Sequence, residues 1–325
     1  MISNMKKCFL VISVLFVGLW ASAATPLDEA RALMNAGSFD QAIPLLESQY
    51  KKNPKNVTVN ECLGKCYYNL EQFGEAEKYF KAAFAKNSAE SAKYLALIAF
   101  DRYDFHEAEA KMSSYRSILA KAKKEPDSEG IQLASRVDAA SSMLDHVEKI
   151  VIIDSLCVDR NTFFEAYRLS PESGSLLPYE KADAAPTVVF MPESGDRRMW
   201  AECDSAGNLR LMEAIRLLDG EWDEFTQLPD VLNDGGDANY PFMMSDGTTL
   251  YYASNGNGSI GGYDIFMTRK DSESGNYLQP QNIGMPYNSP YDDYLLAYDE
   301  VNGIGWWATD RNLYEDKLTV YVFIT

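Results

Sequence analysis

Between residues 27 and 149, apolar side chains recur every three to four positions, the period of helices that bury one face. One four-residue phrase returns three times there: Phe39-Asp40-Gln41-Ala42, Phe73-Gly74-Glu75-Ala76 and Phe105-His106-Glu107-Ala108. Its alanines lie 34 and then 32 residues apart. That spacing predicts stacked helix pairs, each burying its apolar face only against its neighbours. A polar loop over residues 121–130 precedes Ile131, Ala134, Val137, Met143, Leu144, Val147 and Ile150, whose helical spacing predicts a capping helix. After Val151-Ile152-Ile153 the period changes. Short runs rich in aromatic and β-branched residues alternate with Gly, Asn, Asp and Ser clusters, as antiparallel strands require.

The second part repeats as well. Met199-Trp200-Ala201-Glu202-Cys203, Tyr251-Tyr252-Ala253-Ser254-Asn255 and Trp306-Trp307-Ala308-Thr309-Asp310 are equivalents, 52 and then 55 residues apart. Each is followed by a further strand, over residues 209–217, 263–269 and 318–324. The middle unit is the clearest: a strand over 240–244, the turn Ser245-Asp246-Gly247, a returning strand over 249–253, a glycine-rich loop over 255–262 and a third strand. Units of about fifty residues with four short strands predict propeller blades. Residues 160–325 hold about three such units, whereas closed propellers have roughly four or more. The chain also ends within the strand-like T-V-Y-V-F-I-T. The expectation is a chain shortened at that end, with an open array or completion by another subunit as alternatives.

Two resemblances sharpen this picture. Leu63, Gly64, Tyr67, Ala76, Phe80 and Ala83 follow the spacing of the tetratricopeptide repeat. The third pair departs from it, with Ala96, Ala99 and Met112 in place of the glycine, tyrosine and aromatic. The resemblance implies a peptide-binding groove lined by the first helix of each pair. By position it would expose Arg31 and Met34, then Glu61, Lys65 and Tyr68, then Lys93, Leu97 and Phe100; packing against a second domain is the competing role. P-F-M-M-S-D-G-T-T-L-Y-Y-A-S-N-G and G-G-Y-D-I-F resemble the WD-repeat-like blades of TolB-type propellers. The combination is similar to cell-envelope proteins of the Bacteroidetes. Many of those end in an OmpA-like peptidoglycan-binding domain, which has no counterpart here. The expected fold class is α + β multidomain: a tetratricopeptide-type α-solenoid over residues 24–150, then an antiparallel, partial β-propeller over 151–325.

Charge and composition exclude several functions. With 46% hydrophobic and 12% aromatic residues, the chain is too apolar for wholesale disorder. Lys6, Lys7, an apolar run over 9–20 and Ala21-Ser22-Ala23 form a secretory signal peptide over residues 1–23. Its removal leaves 28 basic and 48 acidic residues, a net charge of −20. That balance argues against nucleic acid or anionic lipid as partner. No transmembrane segment is expected in the mature chain. Cys62 and Cys66, at i,i+4 on a helix, read as core residues, and a Cys157–Cys203 bridge is left open.

No catalytic constellation surfaces. Gly256-Asn257-Gly258-Ser259-Ile260-Gly261 fits G-x-G-x-x-G, but a strand rather than a helix follows it, so no nucleotide cofactor is expected. Both histidines, His106 and His146, lie outside the strand-rich part. Calcium on residues 233–237 or on Asp292 and Asp293 is a weaker reading than turn formation, and no metal site is assigned. The function expected is that of a non-enzymatic scaffold that binds protein partners, outer-membrane complex components among them, in the envelope. The alternative is a glycan-binding or glycan-cleaving propeller that stacks sugars on Tyr263, Trp306 or Trp307.

Overall fold

The computed structural model describes residues 25–179, 188–233, 235–256, 258–311 and 316–325; the expected signal peptide lies outside them. The chain forms two compact units, one ending at Lys86 and one beginning at Asn87.

The first unit holds α1 (Pro26–Asn35), α2 (Phe39–Lys52), α3 (Val57–Asn69) and α4 (Phe73–Phe84). Their starts are encoded locally. Thr25 and Asp28 form a reciprocal capping box before Pro26, and the Asn56 side chain accepts the Val59 amide at the head of α3. Gly64 lets α3 and α4 approach, because a Cβ at that position would stand 2.6 Å from the Phe80 ring. Leu63, Ala76 and Phe80 are fully buried, and Tyr67 stacks on Tyr79 with centroids 5.5 Å apart. Gly64, Ala76 and Phe80 therefore play the parts that the repeat spacing predicts.

The second unit opens with α5 (Ala89–Asp101), α6 (Phe105–Ala122) and α7 (Ser128–Leu144). The capping helix is shorter than the periodicity predicts. It buries Leu133, Ala134, Val137 and Ala140, one continuous stripe, whereas Ile131, Leu144 and Val147 fall off that stripe and are exposed. Polar contacts tie these helices to the strands that follow. Arg136 Nε donates to the Ile260 carbonyl at 2.6 Å, Tyr291 Oη to the Asp101 carbonyl at 3.0 Å, and the Glu148 amide to the Met285 carbonyl at 3.1 Å.

The strands follow in order: β1 (Val151–Asp159), β2 (Ser175–Pro178), β3 (Val188–Met191), β4 (Arg197–Cys203), β5 (Leu209–Ile215), β6 (Thr226–Gln227), β7 (Ala238–Met243), β8 (Thr249–Ser254), β9 (Asp264–Arg269), β10 (Gln281–Asn282), β11 (Asp293–Asp299), β12 (Ile304–Thr309) and β13 (Lys317–Ile324). They build three antiparallel sheets: sheet I is β2-β3-β4-β5-β6, sheet II is β10-β9-β8-β7, and sheet III is β1-β13-β12-β11. β1 is first in sequence yet pairs along β13, the last strand, from Val151–Ile324 to Asp159–Lys317. The described strands do not close into a barrel.

The repeat read from the sequence is carried by hydrogen bonds. Asp237 and Asp292, 55 residues apart, each accept an amide at the start of a strand of the preceding sheet: Leu209 N of β5 at 2.8 Å and Tyr263 N, just before β9, at 2.7 Å. Their own amides donate to Asn255 Oδ1 and Asp310 Oδ1, again 55 apart. Asn233 and Asn288 repeat the device deeper in, accepting Leu211 N at 2.8 Å and Ile265 N at 2.7 Å. Even the backbone repeats. Tyr240 and Leu295 both have positive φ, 54° and 33°, at equivalent irregularities of β7 and β11. A single core joins the three sheets, with Phe190 and Phe242 4.8 Å apart between sheets I and II. Residues 163–173 pack on sheet III, with Phe163, Phe164 and Tyr167 in the same core; Tyr167 Oη donates to the Leu295 carbonyl at 2.7 Å and Ser170 Oγ to Asp299 at 2.8 Å.

Candidate functional site

The predicted groove residues do not share one environment. On the first unit, Arg31 of α1 is exposed, and Met34 with Glu61, Lys65 and Tyr68 of α3 is half-buried. Arg31 reaches across to the Cys62 thiol of α3. Burial raises that thiol above its ordinary range and Arg31 opposes the rise, so Cys62 is an inert core thiol rather than a nucleophile.

α5 differs. Leu97 is half-buried, but Lys93 and Phe100 are 5% and 0% exposed, so the expectation that both face a groove is corrected. α7 and its leading loop cover them. Lys93 Nζ sits 2.7 Å from Asp127, 2.9 Å from Glu129 and 3.3 Å from Glu90. Burial disfavours its charge, but hydrogen bonds from Lys93 to Asp127 and Glu129 outweigh it and hold its pKa above the usual lysine range. Phe100 lies under the Arg136 guanidinium, 4.8 Å from the ring centroid, and edge-on to Phe105.

The strand-rich residues singled out in the sequence are structural. Trp306 and Trp307 are 5% and 2% exposed, buried on opposite faces of β12, so neither offers a sugar a free ring. Tyr263 is half-buried, with its hydroxyl on Asp237 at 3.2 Å and its ring 5.7 Å from Tyr294. In the glycine-rich loop, the amides of Ile260 and Gly261 donate to Asp264 at 2.9 and 3.1 Å. A dinucleotide fingerprint would aim such amides at phosphate; here the chain's own carboxylate takes them. Asp264 is fully buried, which pushes its pKa up to about 7 against the pull of those donors. Asp293, buried beside Arg311 at 2.7 Å, is pushed up to about 6 by the same burial. Cys157 and Cys203 are free and exposed, so the bridge left open by the sequence is not formed. Among the described residues, no group of three or more His, Cys, Asp and Glu suits a metal ion, and no helix is long and apolar enough to cross a membrane.

A cleft of about 790 Å³ lies on sheet I, walled by Leu177 of β2, Val189 and Met191 of β3, Arg198, Trp200 and Glu202 of β4, and Tyr179, Trp222 and Phe225 from the flanking loops. Strand alternation puts Arg198, Trp200 and Glu202 on one side of β4, while Met199 faces the core. The guanidinium of Arg198 is stacked between Trp222 at 4.7 Å and Trp200 at 5.3 Å. Tyr179 stacks on Trp200 at 6.2 Å and donates to Glu202 at 3.3 Å, and Phe225 meets Trp200 edge-on at 5.9 Å. Two buried donors, Trp200 Nε1 and Arg198 Nε, have no acceptor. Sequence reasoning passed over this constellation because Trp200 occupies a repeated position that reads as core. The available signal was its place in the first copy of the repeat, which among the described strands has no preceding sheet to cover it.

In comparison with known proteins, a tetratricopeptide repeat model matches residues 27–99, which span α1 to α4 and most of α5. No curated protein matches the chain. Residues 27–99 are thus similar to tetratricopeptide repeats, and the helices are followed by a strand-rich region of antiparallel sheets.

Proposed function

We propose that this chain is an exported, non-enzymatic scaffold of the bacterial cell envelope that binds partner proteins through its tetratricopeptide-type helices. The match over residues 27–99 carries the reading, because helix pairs of this type offer a face of side chains to peptide segments. On the first unit that face holds Arg31, Met34, Glu61, Lys65 and Tyr68, a mixture of charge and apolar surface suited to an extended peptide. The sheets are, in this reading, blades of a WD-repeat-like array. Support comes from the 55-residue recurrence of the Asp237/Asp292 and Asn255/Asp310 hydrogen bonds. Export rests on the basic, apolar and Ala-Ser-Ala pattern of the first 23 residues. The glycan alternative named Tyr263, Trp306 and Trp307; the two tryptophans are core residues and Tyr263 is half-buried with its hydroxyl on Asp237, and the alternative is not adopted.

Affinity capture from detergent-solubilised envelopes tests the proposal. The wild-type chain should retain a defined protein partner, and Lys65→Glu combined with Tyr68→Ala should release it while the helical circular dichroism is unchanged. Equal retention by the double variant would overturn the groove assignment. Turnover in a hydrolase screen that is abolished by one carboxylate substitution would overturn the non-enzymatic reading.

A further inference from the structure

Trp200, Tyr252 and Trp307 hold the same place in the three repeats, yet only two of them are covered by a neighbouring sheet. Trp307 is buried with Ile265 of sheet II, and Tyr252 shares a core with Met199 and Leu211 of sheet I. Sheet III therefore lays this face on sheet II, and sheet II lays it on sheet I. Sheet I has no earlier sheet among the described strands, and its corresponding face is the wall of the cleft. The surface is built like an inter-sheet contact. Trp200 is 3% exposed, its indole N–H is buried without an acceptor, and Leu177 and Phe225 stand out at 42% and 54% exposure.

We propose that this face is covered by the same face of a second copy of the chain. The first reason is what the fold already places there: at both equivalent positions the covering element is an antiparallel sheet of this same repeat, which packs there by its opposite face. The second is charge. Arg198 and Glu202 flank Trp200 at two residues on either side, on one face of one strand. A two-fold axis between the sheets, running across the strands at Trp200, makes the paired strands antiparallel. Arg198 of each copy then meets Glu202 of the other, the self-complementary exchange that an isologous interface requires. Arg198 is pre-ordered for this by its stacking on Trp200 and Trp222. Glu202 accepts from Tyr179 within one copy, and a carboxylate has room for further donors. The inference is independent of the tetratricopeptide groove and of the proposed partner proteins.

The test is the mass of the full chain in solution, by sedimentation velocity and light scattering over a wide concentration range. A reversible dimer is expected. Arg198→Glu and Glu202→Arg should each weaken it by about tenfold or more, because each puts like charges opposite one another. The double variant R198E/E202R should return association to near the wild-type value, since reversed pairs still match across the two-fold axis. Phe225→Ser, at a side chain 54% exposed, should weaken association as well, and it serves if a charge reversal impairs folding. A monomer at every concentration would overturn the proposal. So would a dimer indifferent to these changes, or a double variant no better than the single ones.

Discussion

Replacing Asn288 by alanine tests whether the repeated hydrogen bonds, rather than sheet pairing alone, hold the strand-rich unit together. Asn288 is 1% exposed. Its Oδ1 accepts Ile265 N at 2.7 Å, and its Nδ2 donates to the Ile265 carbonyl at 2.8 Å and to Asn282 Oδ1 at 2.7 Å. Two of the three partners keep another donor in the variant. The Ile265 carbonyl still accepts from Ile283 N, and Asn282 Oδ1 still accepts from Gly284 N. The Ile265 amide is left buried and unpaired, at about 1–3 kcal/mol, and each other lost bond adds about 0.5–1.5 kcal/mol. Asn288→Ala should therefore destabilise the second unit by about 3–4 kcal/mol. Asn233→Ala removes two bonds, to Leu211 N and the Leu228 carbonyl, and should cost about 1 kcal/mol less. Urea unfolding of the protein expressed from residue 24, which leaves out Trp20, reads this unit alone by tryptophan emission, because Trp200, Trp222, Trp306 and Trp307 all lie beyond Asn87. Asn288→Asp adds a check on sign. A carboxyl in this buried site should hold its proton and donate as the amide did, so the variant should be less damaging at pH 5 than at pH 8. The reasoning fails if Asn288→Ala shifts the midpoint no more than Ser272→Ala on the exposed turn.

Two further outcomes follow from packing and titration. Gly64→Ala should destabilise the first unit by about 1–3 kcal/mol through the Phe80 ring, and Phe80→Leu in the same chain should recover part of the loss; far-UV circular dichroism during unfolding reads both. For pH, Asp264 and Asp293 are raised in the folded chain to about 7 and about 6, chiefly by burial. The folded state then binds protons that the unfolded state has released, so their contribution is full at acid pH and declines as pH rises from the ordinary carboxylate range to 6–7. Asp246 is opposite in sign: hydrogen bonds from Thr249 and Thr248 overcome burial and hold it at about 2, so its contribution is lost as pH falls. The unfolding free energy of the second unit should slope downward from about pH 5 to 7, and Asp264→Asn should flatten that slope; an unchanged slope would assign it to other groups.

The sequence by itself determined the elements and their repetition. Helix starts at Thr25 and Asn56, the close contact at Gly64, and the equivalence of residues 199–203, 251–255 and 306–310 all rest on local chemistry that recurs at a fixed spacing. Tertiary structure decided what each repeated position faces. Trp200, Tyr252 and Trp307 are equivalent in sequence and all buried, but Tyr252 and Trp307 share cores with a neighbouring sheet whereas Trp200 is covered by Tyr179, Arg198 and Phe225 of its own sheet and loops, and no local pattern records that. Lys93 and Phe100 look like groove residues until Asp127, Glu129 and Arg136, more than thirty positions further on, fold over them. The glycine-rich loop shows the same limit from the other side. Its spacing allows a phosphate cradle, and only the position of Asp264 beneath the amides makes it a self-contained turn. Spacing along a chain specifies which residues are alike, whereas exposure and charge depend on contacts between segments distant in sequence.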